Sequence, residues 1–148
     1  FSSAAKKAGL KVILDIAKMR IAFPAVGVVA SRDYVVKNRV NARGFMQAYL
    51  EAIRDIKKNK EATLKVMAKY MKMDLESNRD ILVDTYDETI ASEEMEKKPY
   101  PNRDGMKLAV ELTAKQRNIS PIPAIDKFMD TSLLEELDRI GFIDQLYR

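Results

Sequence analysis

Two short apolar runs near the start of the chain constrain its fold more than any other feature. They are residues 11–16 (KVILDI) and 26–31 (VGVVAS), both rich in valine and isoleucine, with Pro24 between them. Runs of about six such residues are typical of buried strands. Because two strands alone make no stable sheet in water, we expect these runs to belong to a larger sheet.

The chain from residue 32 onward predicts helices. Ser31 is a suitable N-cap for a short helix over residues 32–37. A long amphipathic helix follows, whose inward stripe is predicted to be Phe45, Tyr49, Ala52, Ile53 and Ile56. Further helices are predicted over residues 60–71, 75–89, from Asn102 onward, and over 132–140. The predicted fold class is therefore α/β, with two or so N-terminal strands followed by about six helices.

Composition limits the chemistry that the chain can perform. It contains neither Cys nor His, which are common metal ligands, and His is the commonest general base. No phosphate-binding loop and no nucleophile motif is present. We therefore predict no catalytic residue, no metal site and no cofactor.

Charge is distributed unevenly along the chain. Residues 32–72 carry eleven Lys and Arg against four acids, whereas residues 74–96 carry nine acids against one Arg. A nucleic-acid-binding protein is expected to present a basic face without such an acidic neighbour, so no nucleic-acid partner is predicted. Two interpretations remain: solvated helix faces that complement each other, or a charged docking surface for a partner.

The segment from Phe23 to Gly27, which leads into the second apolar run, has two interpretations. Phe23, Pro24 and Gly27 lie where the chain changes direction. They form either a plain structural turn or a hinge beside a ligand cleft, since hinges concentrate backbone changes in a few loop residues.

Several stretches together resemble one family. They are A-x-x-x-G-L-K-V-I-L-D-I from residue 5, the F-P loop, GVVASRDYVVKN from residue 27, F-x-x-A-Y-x-E-A-I from residue 45, and SPIPAIDKFMDTSLLEELDRIGFIDQLY from residue 120. The chain is similar to extracytoplasmic solute-binding proteins of ABC importers, in the nitrate/sulfonate/taurine class, also called the NMT1/THI5-like family. The resemblance implies a type II periplasmic-binding fold, of which this chain matches the C-terminal half. Residues 1–31 would end the second lobe and supply hinge strands, and residues 32–148 would form a helical portion that covers the lobes.

The resemblance also implies a function. Two lobes would close on a small organic or inorganic anion, or on a sulfonate- or pyrimidine-like ligand, and would deliver it to an ABC permease at the membrane. The ligand-binding residues implied in this chain are Asp15, Phe23, Pro24 and Gly27. The implied location is periplasmic or extracytoplasmic, with a lipoprotein anchor as one form of attachment.

Two alternatives stay open beside this hypothesis. One is a helical interaction module that forms a homodimer or domain swap through the sheet edge at residues 11–31. The other is an enzyme similar to thiamine-pyrimidine synthases, which would need His from outside this stretch. Because the sequence begins at Phe1, without an initiator Met, we expect a processed chain or a fragment.

Overall fold

The computed structural model describes residues 5, 8–11, 13–14, 19, 21–24, 26–91 and 95–148. The helices in these ranges are α1 Arg32–Lys37, α2 Arg39–Lys58, α3 Lys60–Met71, α4 Arg79–Tyr86, α5 Arg103–Gln116, α6 Ser132–Arg139 and α7 Phe142–Leu146. A π-helical turn, Asp87–Ala91, continues α4, and a 3₁₀ turn, Ile125–Lys127, precedes α6. None of these helices combines the length and the apolar character needed to cross a membrane.

Side-chain caps begin several helices where the sequence predicts them. The Ser31 hydroxyl accepts a hydrogen bond from the Tyr34 N–H at 3.2 Å, and the Asn102 side chain accepts one from the Gly105 N–H at 2.9 Å. Each satisfies one of the N–H groups that the first turn of a helix leaves without a partner. The predicted starts of α1 and α5 are confirmed.

The predicted α/β fold is wrong for the described part of the chain, which contains no strand. Residues 26–31 are all described and form extended or bent backbone without sheet pairing, as do Lys11, Ile13 and Leu14 of the first run. Ile13, Val26 and Val29 are 98%, 94% and 93% exposed. A strand needs a neighbouring strand for its hydrogen bonds and a partner layer for its side chains. The described residues of these runs have neither, so their β propensity is not expressed, and the type II periplasmic-binding fold is not seen in the described part of the chain.

Contacts divide the chain into two units. The first unit comprises Phe1–Leu14, Gln47–Pro99 and Ile143–Arg148, and the second comprises Asp15–Met46 and Tyr100–Phe142. Each unit is therefore built from separate stretches of sequence. The domain division predicted at residue 31 stays a prediction.

The core of the first unit lies between α3, α4 and the π-helical turn. Its buried members are Leu64, Ala68, Leu82, Tyr86 and Ile90. Lys57, near the end of α2, connects this helix to the π-helical turn and the residues after it. Its ammonium donates hydrogen bonds to the Ile90 carbonyl at 3.1 Å and to the Met95 carbonyl at 2.7 Å.

Ion pairs join the basic and acidic stretches within this unit. Lys60 binds Asp87 at 2.7 Å, and Arg79 binds Glu61. The Lys60–Asp87 pair joins an excess charge of each stretch, as in the first of the two interpretations above, whereas Arg79 and Glu61 are minority charges of their stretches.

The second unit places α6 against the start of α2. Glu136 accepts from Arg39 at 2.9 Å and pairs with Arg43 at 3.3 Å. Leu134 and Leu137 are buried on α6. Two guanidinium groups of α2 thus share one carboxylate of α6.

Candidate functional site

A groove of about 360 Å³ lies in the second unit. Its walls come from residues 28–30, from α1 and the first part of α2, and from residues 128–133. The apolar lining includes Val28, Val29, Phe45, Met46, Phe128 and Leu133. Ligand sites in proteins are typically concave, mostly apolar and of about 300–1,000 Å³, so the groove has the size and lining of a small-molecule site.

Arg32 supplies the positive charge of the groove. Its Nη2 donates to the backbone carbonyls of Asp126 at 2.7 Å and Lys127 at 3.1 Å. These bonds anchor the guanidinium on the 3₁₀ turn. Among the described residues, none pairs with its Nε or Nη1, so three N–H donors stay available on a group that is already positioned. An oxyanion is the ligand that such a fork binds best.

Asp130 supplies a negative charge to the same lining. Its carboxylate accepts from the Ser132 N–H at 3.0 Å, next to the first residue of α6. Hydrogen bonds from Ser132, side chain first and then backbone, lower the pKa of Asp130, and the charges of Arg32 and Arg39 lower it further. The carboxylate is therefore ionised at neutral pH and offsets part of the positive charge of Arg32, whose free N–H groups are the donors in the lining that can take an anionic partner.

The apolar wall on α2 differs from the predicted stripe. The buried residues of this helix are Ala42, Leu50 and Ile53, and the half-buried Met46 lies between them. These residues follow one another at i, i+4, i+8 and i+11, which rotates the packed face by about a quarter turn from the predicted one. Phe45 was predicted to face inward, but it is 56% exposed and lines the groove.

The four residues implied by the resemblance are not brought together in this groove. Asp15 lies outside the described residues. Phe23, Pro24 and Gly27 are exposed, and none of the three lines the groove, which begins one residue later at Val28. They stay predictions.

Gly105 on α5, and not Gly27, is the glycine that allows a close backbone approach. A Cβ at Gly105 would lie 3.1 Å from the Ala22 carbonyl carbon and 3.2 Å from the Phe23 nitrogen, whereas a Cβ at Gly27 would meet nothing within 4 Å. The loop before Pro24 is thus positioned by its contact with α5.

Sequence reasoning missed Arg32, Phe128 and Asp130 as site residues. The sequence marks Arg32 only as the start of a predicted short helix. Nothing in its spacing shows that residues almost a hundred positions later line the same groove.

The groove can bind but has no evident reactive group. Its polar lining consists of Arg32, Tyr34, Asn41 and Asp130, which offers charge and hydrogen bonds without a nucleophile paired to a base. Among the described residues no group of three or more acidic side chains could hold a metal ion. The arrangement fits the reversible binding of a small molecule that has an apolar body and one anionic group.

Comparisons with known proteins found no match: no family model, no curated protein and no solved structure is similar to this chain.

Proposed function

We propose that this chain is a solute-binding protein, or part of one, that captures a small organic anion for an ABC importer. The observation that carries the proposal is the apolar groove with one anchored, partly unpaired arginine in its lining. The family resemblance of residues 27–38 supports it, because residues 28–35 of that stretch supply much of the groove. The proposal does not include the hinge strands, since that prediction is wrong for the described residues.

The lining favours one kind of anion. An apolar body would cover Phe45, Phe128 and Leu133, and its burial would stabilise the complex by roughly 25 cal/mol for each Å² of apolar surface. A sulfonate or carboxylate would accept hydrogen bonds from Arg32, and charge-assisted bonds of this kind are about twice as strong as neutral ones. Nitrate has no apolar body and a neutral pyrimidine has no charge, so each would use only part of the lining.

A ligand screen tests the proposal. The full chain is titrated by calorimetry with alkyl and aryl sulfonates, aromatic carboxylates, nitrate and pyrimidines. We expect the organic anions to bind most tightly. Arg32→Met keeps most of the apolar stem of the side chain but removes the guanidinium group and its charge, and we expect it to weaken binding about tenfold, or 1.4 kcal/mol.

Arg79→Met is the matched control for this variant. Arg79 pairs with Glu61 in the first unit and has no place in the groove lining, so its loss should leave the affinity unchanged. The proposal is contradicted if no organic anion binds, or if Arg32→Met and Arg79→Met bind equally well.

A second candidate function is self-association through the segment before α1. The apolar side chains of Ile21, Phe23, Val26 and Val29 are all more than half exposed, and a second copy of the chain would bury them against the same segment. Exposed apolar patches of this kind often mark protein interfaces. Light scattering after size exclusion would then give a dimer mass. Val26→Asp should convert the dimer to a monomer, and Val66→Asp on the exposed side of α3 should not; a monomeric parent chain rejects this function.

A further inference from the structure

The ring of Tyr147, just after α7, lies beside two lysine ammonium groups. Lys97 Nζ lies 5.0 Å and Lys58 Nζ 5.8 Å from the ring centroid. Each distance falls within the range of about 6 Å in which a cation is attracted to an aromatic face. Among the described residues, Tyr70 and Tyr86 each lie beside one lysine. Two cations at one ring also repel each other, and an anion bound near them would weaken that repulsion.

The two lysines lack a carboxylate partner in the part of the chain that the structure describes. Among the described residues, no acid forms an ion pair with Lys58 or Lys97. Two acids that neighbour them have other partners, since Asp55 pairs with Arg54 at 2.8 Å and Asp144 pairs with Lys98 at 3.0 Å. Lys58 donates a long hydrogen bond, 3.4 Å, to the Leu146 carbonyl. Within the described residues, no ion pair therefore neutralises either ammonium group.

A buried hydroxyl without a partner lies in the same cluster. The Tyr147 hydroxyl is buried, and no described atom forms a hydrogen bond with it. Buried polar groups are almost always paired, so an orphan of this kind calls for an explanation. Burial raises the pKa of Tyr147, while the charge of Arg54 opposes that effect. The hydroxyl thus keeps its proton at neutral pH and can donate it to an acceptor.

We propose that Lys58, Lys97 and the Tyr147 hydroxyl form a binding site for a doubly charged oxyanion of the phosphate or sulfate type. Lysine ammonium groups bind phosphate as point charges, and an anion oxygen would accept the hydrogen bond that the hydroxyl cannot make within the described protein. Both lysines are exposed, so an anion reaches their ammonium groups from solvent, and it reaches the buried hydroxyl only when a neighbouring side chain moves aside. The site belongs to the first unit and the groove to the second, so neither proposal depends on the other.

Calorimetric titration of the full chain tests the site. The probes are inorganic phosphate, sulfate and glycerol phosphate, each added at constant ionic strength with chloride as the balancing anion. We expect one saturable site for phosphate and sulfate. If glycerol phosphate binds with similar affinity, the site accepts phosphate monoesters as well as inorganic phosphate. If it binds much more weakly, the site prefers the free ion.

Substitutions assign the binding to these side chains. Lys97→Met should weaken phosphate binding about tenfold, and Tyr147→Phe about fivefold. Lys69→Met is the matched control, because Lys69 lies 5.9 Å from the ring of Tyr70, where no second lysine is recorded. Arg32→Met, which removes the charge of the groove, should leave phosphate binding unchanged. Far-UV circular dichroism verifies that each variant is folded, and Lys97→Gln replaces Lys97→Met if that protein is not.

Two results would overturn the site. One is the absence of saturable phosphate and sulfate binding to the parent chain. The other is equal weakening by Lys97→Met and Lys69→Met, which would show that only the net charge of the protein matters.

Discussion

Removing a single hydroxyl at Tyr86 tests how the first unit is held together. Tyr86 is 4% exposed, and its hydroxyl lies 3.1 Å from the carbonyl oxygens of both Ile56 and Lys57. Those carbonyls belong to the last turn of α2, whose C=O groups have no partner within the helix. Tyr86→Phe removes the donor and keeps the ring in the core.

The loss of stability depends on which hydrogen bonds the Ile56 and Lys57 carbonyls keep when the tyrosine hydroxyl is removed. The Ile56 carbonyl still lies 3.1 Å from the Thr63 hydroxyl, whose single proton it shares with the Asn59 carbonyl at 2.9 Å. The Lys57 carbonyl has no other donor among the described residues. A buried acceptor left without a partner costs about 1–3 kcal/mol. Because the Ile56 carbonyl keeps a share of one donor, we expect Tyr86→Phe to lower the free energy of unfolding by about 1.5 kcal/mol, near the lower end of that range.

Urea denaturation followed by circular dichroism measures this change, with two other tyrosines as references. The shift should appear in the midpoint with the slope m unchanged. Tyr70 is 78% exposed, so Tyr70→Phe should change stability by less than about 0.5 kcal/mol. The Tyr147 hydroxyl is buried and unpaired among the described residues. Its removal should therefore raise stability by about 1 kcal/mol in phosphate-free buffer.

The ordering of the three variants is the decisive result. Tyr86→Phe must be the least stable and Tyr147→Phe the most stable, with Tyr70→Phe between them. If Tyr86→Phe lies within 0.5 kcal/mol of the parent chain, by the threshold used for surface changes, the hydrogen bonds to α2 contribute nothing measurable. The reasoning from buried donors and acceptors then fails for this protein.

Two further predictions concern the second unit. Gly105→Ala places a methyl group 3.1 Å from the Ala22 backbone, so we expect the loop to be displaced and elastase to cleave after Ala22 faster than in the parent chain; an unchanged cleavage rate would contradict the close approach. The hydrogen bonds from Ser132 lower the pKa of Asp130 in the folded state, so the stability they confer is present above the unfolded pKa of about 4 and is lost as the pH falls through the lower folded value. Asp130→Asn should flatten the acid side of the stability profile measured by urea titration, and an unchanged profile would show that this carboxylate does not contribute.

The helices could be predicted because their signals are local. The predicted spans 32–37 and 60–71 agree with α1 and α3, and the caps at Ser31 and Asn102 are where the sequence placed them. A cap needs only a side-chain oxygen and an N–H group three residues later. An apolar stripe likewise indicates that a helix exists, even when the buried face is rotated, as it is on α2.

The strands could not be predicted correctly from the same kind of signal. Valine and isoleucine at residues 26–29 suit a strand only where a neighbouring strand and a covering layer exist. The sequence of the run does not show whether a neighbouring strand or a covering layer exists. Val26 and Val29 are exposed, because no further strand and no covering layer is present beside them in the described part of the chain.

The groove was missed for a related reason, since its two charged residues are far apart in sequence. Arg32 precedes Asp126 and Lys127 by more than ninety positions, yet its guanidinium is fixed by their carbonyls. A single sequence contains the residues but not this pairing. Only the folded arrangement of the 3₁₀ turn beside α1 shows why an arginine on a six-residue helix is a candidate ligand group.

The Tyr147 hydroxyl, unpaired among the described residues, is either part of an anion-binding site or a defect in packing. The effect of phosphate on protein stability distinguishes the two. If the hydroxyl is only a flaw, Tyr147→Phe stabilises the protein by the same amount at every phosphate concentration. If it binds an oxyanion, phosphate stabilises the parent chain by RT ln(1 + [L]/Kd), and it stabilises a fivefold weaker variant by about 1 kcal/mol less at saturation. The advantage of about 1 kcal/mol that the variant has in phosphate-free buffer would then disappear as phosphate is added. Chloride at the same ionic strength should leave the difference intact, because it supplies a single charge and no oxygen acceptor.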